Sequence, residues 1–182
     1  MIKRLRIKYS DKQLKEIYST PHNSDNWQDH IERIDKSIDF INKNYKDIDS
    51  AADLSCGNGK ILNSINASKK YYGDFAKGYK YHGPIEKTIL EIPQVDLFIC
   101  SETMEHLDNP IEVLRKIRKK TKNLFISTPC GKFDDDNKEH YWAWDLEGIK
   151  EILNKSNFTI EDSDILVMSD RHYYDFALVY CS

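Results

Sequence analysis

No apolar run in this 182-residue chain approaches the roughly 18 to 20 residues needed to cross a bilayer. The opening MIKRLRIKYS is basic but has no apolar segment behind it, so neither a membrane anchor nor a secretory leader is expected. Cysteine is scarce and scattered. Cys56, Cys100, Cys130 and Cys181 form no CxxC pair, which argues against a zinc ribbon and against a disulfide scaffold. Reduced thiols and a cytoplasmic location are the expectation. Excess positive charge is missing too: 27 Lys and Arg against 30 Asp and Glu leave a net charge of −3. That excludes the whole-domain basic field of a protein that coats duplex DNA. Repeats and low-complexity tracts are absent, and nothing marks an internal boundary. What is present is the length of one globular domain with 40% hydrophobic residues, enough to bury roughly two thirds of the unfolded surface.

The first 48 residues read as helical. Trp27, Ile31, Ile34, Ile38 and Ile41 recur at three- and four-residue steps, which places them on one stripe of a helix capped near Ser24. That stripe needs a surface downstream to pack on. From Asp49 the texture changes to short apolar runs alternating with helical stretches. The pattern predicts strands near 50–54, 70–74, 79–83, 95–101 and 122–127, and helices near 58–66, 85–91, 109–120 and 145–155. Asn109-Pro110-Ile111-Glu112 combines a capping side chain, a first-turn proline and a glutamate three residues after the cap. Alternating β and α elements imply a mostly parallel sheet with helices on both faces. Phe158 to Met168 and Tyr173 to Tyr180, joined by Ser169-Asp170-Arg171, read as a closing hairpin.

In Asp53-Leu54-Ser55-Cys56-Gly57-Asn58-Gly59-Lys60 a strand runs through a two-glycine turn into a helix. Glycine belongs where backbone approaches a ligand or takes φ > 0. The six-position dinucleotide pattern fails, because Leu62 stands at its third glycine, and this disfavours NAD. Read together with later segments, the loop resembles the first motif of class I S-adenosylmethionine (SAM)-dependent methyltransferases. The other segments are Tyr72-Gly73-Asp74, Val95 to Glu102 with Glu105-His106-Leu107, and Leu124 to Pro129; all fall in order over about residues 49–160. YSTPH at 18–22 and NKEHYWAWD at 137–145 are also similar to short methyltransferase-like proteins of bacteriophage and bacterial genomes.

The resemblance implies one domain with a Rossmann-like, mostly parallel seven-stranded sheet ending in an antiparallel hairpin. Residues 1–48 would form a helical lid and 49–182 the cofactor-binding core. It also implies cofactor contacts from Asp53, Ser55, Gly57, Asn58, Gly59, Asp74, Glu86, Ser101 and Glu102, with Asp74 accepting from the ribose and Asp53 holding the amino group. A carboxylate suits a sugar diol because it accepts two hydrogen bonds at once. Only 11 residues separate Asp74 from Glu86, so the helix that normally joins the second and third strands of such a sheet is expected to be missing. Tyr18, His22, Trp27, His30 and Arg33 are candidates to fold over the cofactor.

Glu102, Glu105 and His106 stand at i, i+3 and i+4 after the fourth core strand, and His140 follows the fifth. They therefore sit at the carboxyl edge of the sheet, where open α/β folds bind ligands. Two readings remain open. In one, Glu105-His106 is a structural turn. In the other, Glu102, Glu105, His106 and His140 hold Mg²⁺ or Mn²⁺, a set similar to that of small-RNA 3′-terminal 2′-O-methyltransferases. Trp142 and Trp144 divide between core and cleft in this reading. Cys130 lacks the Pro-Cys partner motif of RNA cytosine-C5 methyltransferases, and no Asn/Asp-Pro-Pro-Tyr motif is present. The expected activity is SAM-dependent O-methylation of a small-molecule, sugar or nucleotide hydroxyl, with Glu105, His106 and His140 catalytic. The alternatives are a metal-dependent enzyme acting on an RNA end and a non-catalytic SAM-binding subunit.

Overall fold

Apolar residues that alternate along the central strands are sorted onto two faces of one sheet. Leu97 and Ile99 face one side with Ala51 and Phe125; Phe98 and Cys100 face the other with Ala52, Leu124 and Ile126. This two-residue period makes both faces apolar and requires helices on each. The computed structural model describes residues 1–20, 28–168 and 174–182. In chain order it contains β1 (Ile2–Arg4), α1 (Asp11–Ile17), α2 (Gln28–Asn44), β2 (Ser50–Asp53), α3 (Lys60–Ser64), β3 (Lys69–Asp74), β4 (Tyr81–His82) and α4 (Ile85–Thr88). Then come β5 (Leu97–Ser101), α5 (Pro110–Arg118), β6 (Asn123–Cys130), β7 (Trp142–Trp144), α6 (Leu146–Asn154), β8 (Ile160–Leu166) and β9 (Asp175–Cys181).

The seven-stranded sheet has the order β4-β3-β2-β5-β6-β9-β8. Pairing is parallel from β4 through β6 and antiparallel for β6 with β9 and β9 with β8. The expected mostly parallel sheet with an antiparallel end is thus present. Chain order reverses between β2 and β5, which opens a crevice at their carboxyl ends. One face is covered by α4, α5 and α6, the other by α2 and α3. Ile34, Phe40 and Ile41 of α2 pack with Leu97, Ile99 and Phe125, so the helical stripe finds its surface on the sheet. The expected cap near Ser24, together with His22, Trp27 and the 169–171 turn, lies outside the described residues.

Three features depart from the sequence reading. The amino-terminal stretch is not wholly helical: β1 pairs antiparallel with β7, Ile2 opposite Trp144. Three residues joined to three others some 140 positions away leave no local period to read. Second, Trp142 and Trp144 do not divide between core and cleft. Two residues apart in a strand, they share one side, and both pack on the same apolar cluster. Trp142 is capped by the Arg4 guanidinium 4.7 Å from its ring. Third, β4 is shorter than the predicted 79–83 and pairs with β3 only at Gly73–Tyr81 and Asp74–His82. The link between these strands, residues 75–80, carries no helix, as the short Asp74–Glu86 spacing implied.

Gly73 is what allows β4 to approach. A Cβ there would lie 2.6 Å from the Tyr81 carbonyl oxygen and 2.8 Å from Leu54 Cδ2, and the carbonyl belongs to the paired backbone. Gly73→Ala is expected to cost about 1–3 kcal/mol through overpacking, read as a lower urea midpoint.

Candidate active site

The loop after β2 turns sharply because Gly57 and Gly59 both take positive φ, 54° and 77°. Gly59 also lies against Tyr72, whose ring would be 3.3 Å from a Cβ. Asp74, at the end of β3, stabilises the loop: its Oδ2 accepts from the Gly57 amide at 2.9 Å and its Oδ1 from the Ala76 amide at 2.9 Å. Tyr79 donates its hydroxyl to the Gly57 carbonyl at 2.7 Å. Asn58 Oδ1 accepts from the Lys60 amide at 3.3 Å. A carboxylate has about four acceptor positions, so Asp74 retains capacity beyond its two amides.

Asp53 ends β2 and is buried. Its Oδ1 accepts from the Ser55 amide at 3.0 Å, and the Ser55 and Thr103 hydroxyls lie 2.6 Å apart across the crevice. Burial pushes the Asp53 carboxyl up to about 7, helped by the nearby charge of Asp74 and opposed by the Ser55 bonds. Glu86, one of the implied cofactor contacts, sits in the first turn of α4, where its carbonyl accepts from Lys116 at 3.3 Å.

At the ends of β5 and β6, Ser101 and Ser127 are register partners and their hydroxyls meet at 2.7 Å. Arg33 of α2 reaches down to both, 2.8 Å to Ser101 Oγ and 3.4 Å to Ser127 Oγ. Glu102 follows in the left-handed region, φ 48°, a conformation disfavoured for a side-chain-bearing residue and concentrated at functional sites. Its Oε1 accepts from Ser127 at 3.4 Å. Burial pushes Glu102 up to about 8, with Arg33 pulling down and Glu105 pushing up.

Glu105 is 1% exposed. Its Oε2 accepts from Thr128 at 2.9 Å, while Thr128 Oγ1 accepts from the Trp144 indole at 3.1 Å. The indole occupies an acceptor position of the threonine and leaves its proton for the carboxylate. Burial raises the Glu105 carboxyl, against the lowering influence of His140, Thr128 and Arg33. Arg33 Nε and Glu105 Oε1 are buried with no hydrogen-bond partner among the described residues.

His106 and His140 meet edge to face with ring centroids 4.8 Å apart. His106 Nδ1 lies 3.1 Å from the Glu139 carbonyl and 3.2 Å from the Tyr18 hydroxyl, and its Nε2 is 3.7 Å from Glu105 Oε1. Tyr18 also packs against Phe75, 5.4 Å between centroids. Of the residues expected to cover the cofactor, Tyr18 and Arg33 therefore reach the site, whereas His30 stands half-buried on α2.

His140 is oriented from both sides. Nδ1 is 2.6 Å from Asp135 Oδ2, and Nε2 is 3.2 Å from the Asn137 amide nitrogen. Asn137 Oδ1 accepts from the Glu139 amide, so the Asn137 NH₂ faces the ring and Nε2 is the acceptor. Nδ1 then carries the proton toward Asp135, which also accepts from Tyr174 at 2.6 Å. Burial alone would lower His140, but the Asp135 bond and the charges of Glu105, Asp135 and Glu102 outweigh it and raise the imidazole. Glu105, His106 and His140 bring ligand atoms within 4.8 Å of one another. The Glu102 carboxylate lies outside that group, turned to Ser127. Cys130 is pushed up to about 11 by burial and by Asp145 and Asp175, so its thiol stays protonated at neutral pH.

Asp135 is a site residue that sequence reasoning missed. It stands in the short charge run Asp134-Asp135-Asp136, and only the folded 131–141 segment brings it to His140. The link from Trp144 through Thr128 to Glu105 was equally hidden, although both residues lie in segments the sequence singles out.

No protein-family model matches the sequence, and neither does any curated protein. Solved structures do match. The 1,6-didemethyltoxoflavin-N1-methyltransferase of Burkholderia thailandensis, with bound 1,6-didemethyltoxoflavin and S-adenosylhomocysteine, has a TM-score of 0.73 at 13% identity, over 99% of this chain and 93% of that one. The fold is that of the class I SAM-dependent methyltransferases. The Synechocystis magnesium protoporphyrin IX methyltransferase with bound S-adenosylhomocysteine gives 0.64 at 14% identity, covering 93% of each chain. The cyclase SpnF gives 0.66 at 12% identity, over 90% of this chain and 84% of its own. A methyltransferase fold thus also occurs in a protein described as a cyclase, and the activity has to be argued from the site.

The Asp53 carboxyl has a folded value of about 7 and an unfolded one of about 3.9. Between those limits the unfolded chain ionises more readily, so stability falls as pH rises from about 4 to about 7. Ligand-free Asp53→Asn should be more stable than the parent at pH 8 by on the order of 1–3 kcal/mol. The advantage should shrink toward pH 5, compared through urea midpoints at the two pH values.

Proposed function

We propose that the chain is a SAM-dependent methyltransferase acting on a hydroxyl of a small molecule, sugar or nucleotide. The observation that carries this reading is the pairing of the Gly57–Gly59 loop with Asp74 and with buried Asp53 at the chain reversal. These groups fit SAM. The glycines leave room for its methionine portion, Asp74 retains acceptor positions for the ribose diol, and a raised carboxyl at Asp53 suits a ligand bearing positive charge. Bound SAM supplies an activated methyl group on sulfonium. The chain's own residues must then orient the acceptor and take its proton.

Two groups suit that proton. His140, held by Asp135 with Nε2 as acceptor, takes one if Asn137 gives way. Glu102, raised to about 8, lies close to the operating pH at which proton transfer is efficient. Tyr18 borders the same space beside His106, which makes α1 and the residue after it the covering element of the site. α2 is packed into the core and contributes Arg33 instead.

One observation favours a second reading. Glu105, His106 and His140 present one carboxylate and two imidazoles within a common 4.8 Å, a donor set that suits Mn²⁺ or a similar ion better than Mg²⁺. Such an ion would orient an acceptor hydroxyl, the chemistry of a metal-dependent RNA 3′-terminal 2′-O-methyltransferase.

SAM should titrate one-to-one and, at pH 7, release about half a proton as the ligand's charge ionises Asp53. Calorimetry in buffers of different ionisation enthalpy measures this. Asp74→Ala should weaken binding by about 1.5–3 kcal/mol, and Gly59→Val should abolish it. Undiminished binding in Asp74→Ala rejects the cofactor assignment. A hydroxyl-acceptor screen with methyl-labelled SAM separates the two catalytic readings. Chelation should leave transfer intact under the first, whereas the second requires both a loss restored by Mn²⁺ and transfer to an RNA 3′ end.

A further inference from the structure

A parallel sheet is ordinarily covered by its crossover helices, and the β3–β4 connection has none. The two strands share two residue pairs and then part. Between Lys70–Tyr72 on one side and Tyr79–Tyr81 on the other lies a cleft of about 360 Å³. Tyr71 and Tyr81 belong to the face covered by α4 and α5, with Tyr81 only 7% exposed, whereas Tyr72 packs toward the α2 and α3 face; Tyr71, Tyr72 and Tyr79 stand half-buried at the edge. Tyr72 and Tyr79 stack with rings 12° from parallel at 6.2 Å, and Tyr71 lies 6.4 Å from Tyr81. The hydroxyls of the stacked pair are tied at their tips, Tyr72 to Asn63 Oδ1 and Tyr79 to the Gly57 carbonyl, both at 2.7 Å. These bonds fix the rings by their edges. Lysines surround the rings: Lys70 and Lys80 line the cleft, Lys80 Nζ is 5.0 Å from the Tyr81 ring centre, and Lys77 is exposed on the connecting loop. Residues 69–87 hold five lysines against Asp74 and Glu86 in a chain whose net charge is −3; Lys69 is paired with Asp49 and Lys70 bonds the Asn63 carbonyl at 3.0 Å. Asp74 is turned inward to the glycine loop.

We propose that this edge binds a single-stranded nucleic acid, with bases stacking on the half-buried rings of Tyr71, Tyr72 and Tyr79 and phosphates meeting Lys70, Lys77 and Lys80. Ring faces flanked by lysines are how proteins hold unpaired strands without reading sequence. A duplex keeps its base faces stacked internally and gains nothing from such rings. An acidic peptide would satisfy the lysines but not the ring faces. The proposal does not depend on the methyltransferase reading, since its chemistry is independent of methyl transfer; Tyr72 and Tyr79 also touch the glycine loop, so the residues varied in the test are Tyr71, Lys77 and Lys80.

Fluorescence anisotropy with end-labelled 12-residue oligouridylate and oligothymidylate tests it on the full chain. Both strands should bind at 50 mM salt, and their ratio tells RNA from DNA as the preferred source. With about three phosphates neutralised, affinity should fall roughly 15- to 20-fold between 50 and 200 mM salt. The double charge reversal Lys77→Glu with Lys80→Glu should cost at least tenfold. Tyr71→Phe should retain binding while Tyr71→Ser loses about five- to a hundredfold, with thermal melting by circular dichroism establishing that each variant is folded. No binding at 50 mM salt, equal affinity for a duplex of the same length, or displacement by polyglutamate at equal charge would each overturn the proposal. Because SAM titration is measured separately, failure here leaves the cofactor assignment standing, and the reverse.

Discussion

Two carboxyl groups, Asp53 and Glu105, are withdrawn from water at one end of the sheet with Glu102 half-buried beside them, and Arg33 and His140 are buried in the same region. Charge in such surroundings is costly unless paired and hydrogen-bonded. The local architecture is a set of responses to that cost. The carboxyl pKa values are pushed upward, Arg33 reaches the strand ends through Ser101 and Ser127, and Ser127 and Thr128 donate hydroxyls to Glu102 and Glu105. The 131–141 segment adds His140, itself steadied by Asp135. The proposed SAM and divalent-ion readings both rest on this concentration of carboxyl groups.

The same constraint accounts for what the sequence made legible. The glycine loop, the acid after it and the carboxylate at the end of β3 are adjacent in the chain to the turns they serve, so spacing alone locates them. The central strands were legible because burial on both faces demands unbroken apolar runs such as Leu97 to Cys100. Residues that act by leaning on distant partners were not. Asp135 looks like one acid of a short charge run until Tyr174 and His140 close on it. Thr128 is an ordinary strand threonine until an indole 16 residues on takes up one of its acceptor positions. The β1–β7 pair is too short to carry a period. Trp142 and Trp144 were misassigned for a related reason: an aromatic pair two apart has one side only if the segment is a strand, and three residues of strand leave almost no signature.

Within the site, the division of labour follows the strands. β2 and β3 present backbone and carboxylates where a nucleoside-bearing ligand would lie, whereas β5, β6 and the 131–141 segment present proton-exchanging groups. Arg33 stands between the two sets through Ser101 and Ser127. A change in either set is therefore felt by the other through charge, even where no side chain is shared.

The β1–β7 ribbon also bears on the order in which the molecule is completed. Ile2 pairs with Trp144, and closing so long a loop is entropically slow compared with forming the neighbouring β2–β3 contact. During synthesis β1 has to wait until β7 has emerged. Trp144 is also the residue whose indole orients Thr128 toward Glu105. The half of the sheet around β2 and β3 can assemble from local contacts while the half around Thr128 and Glu105 is finished last, by a contact between two segments at opposite ends of the folding timetable.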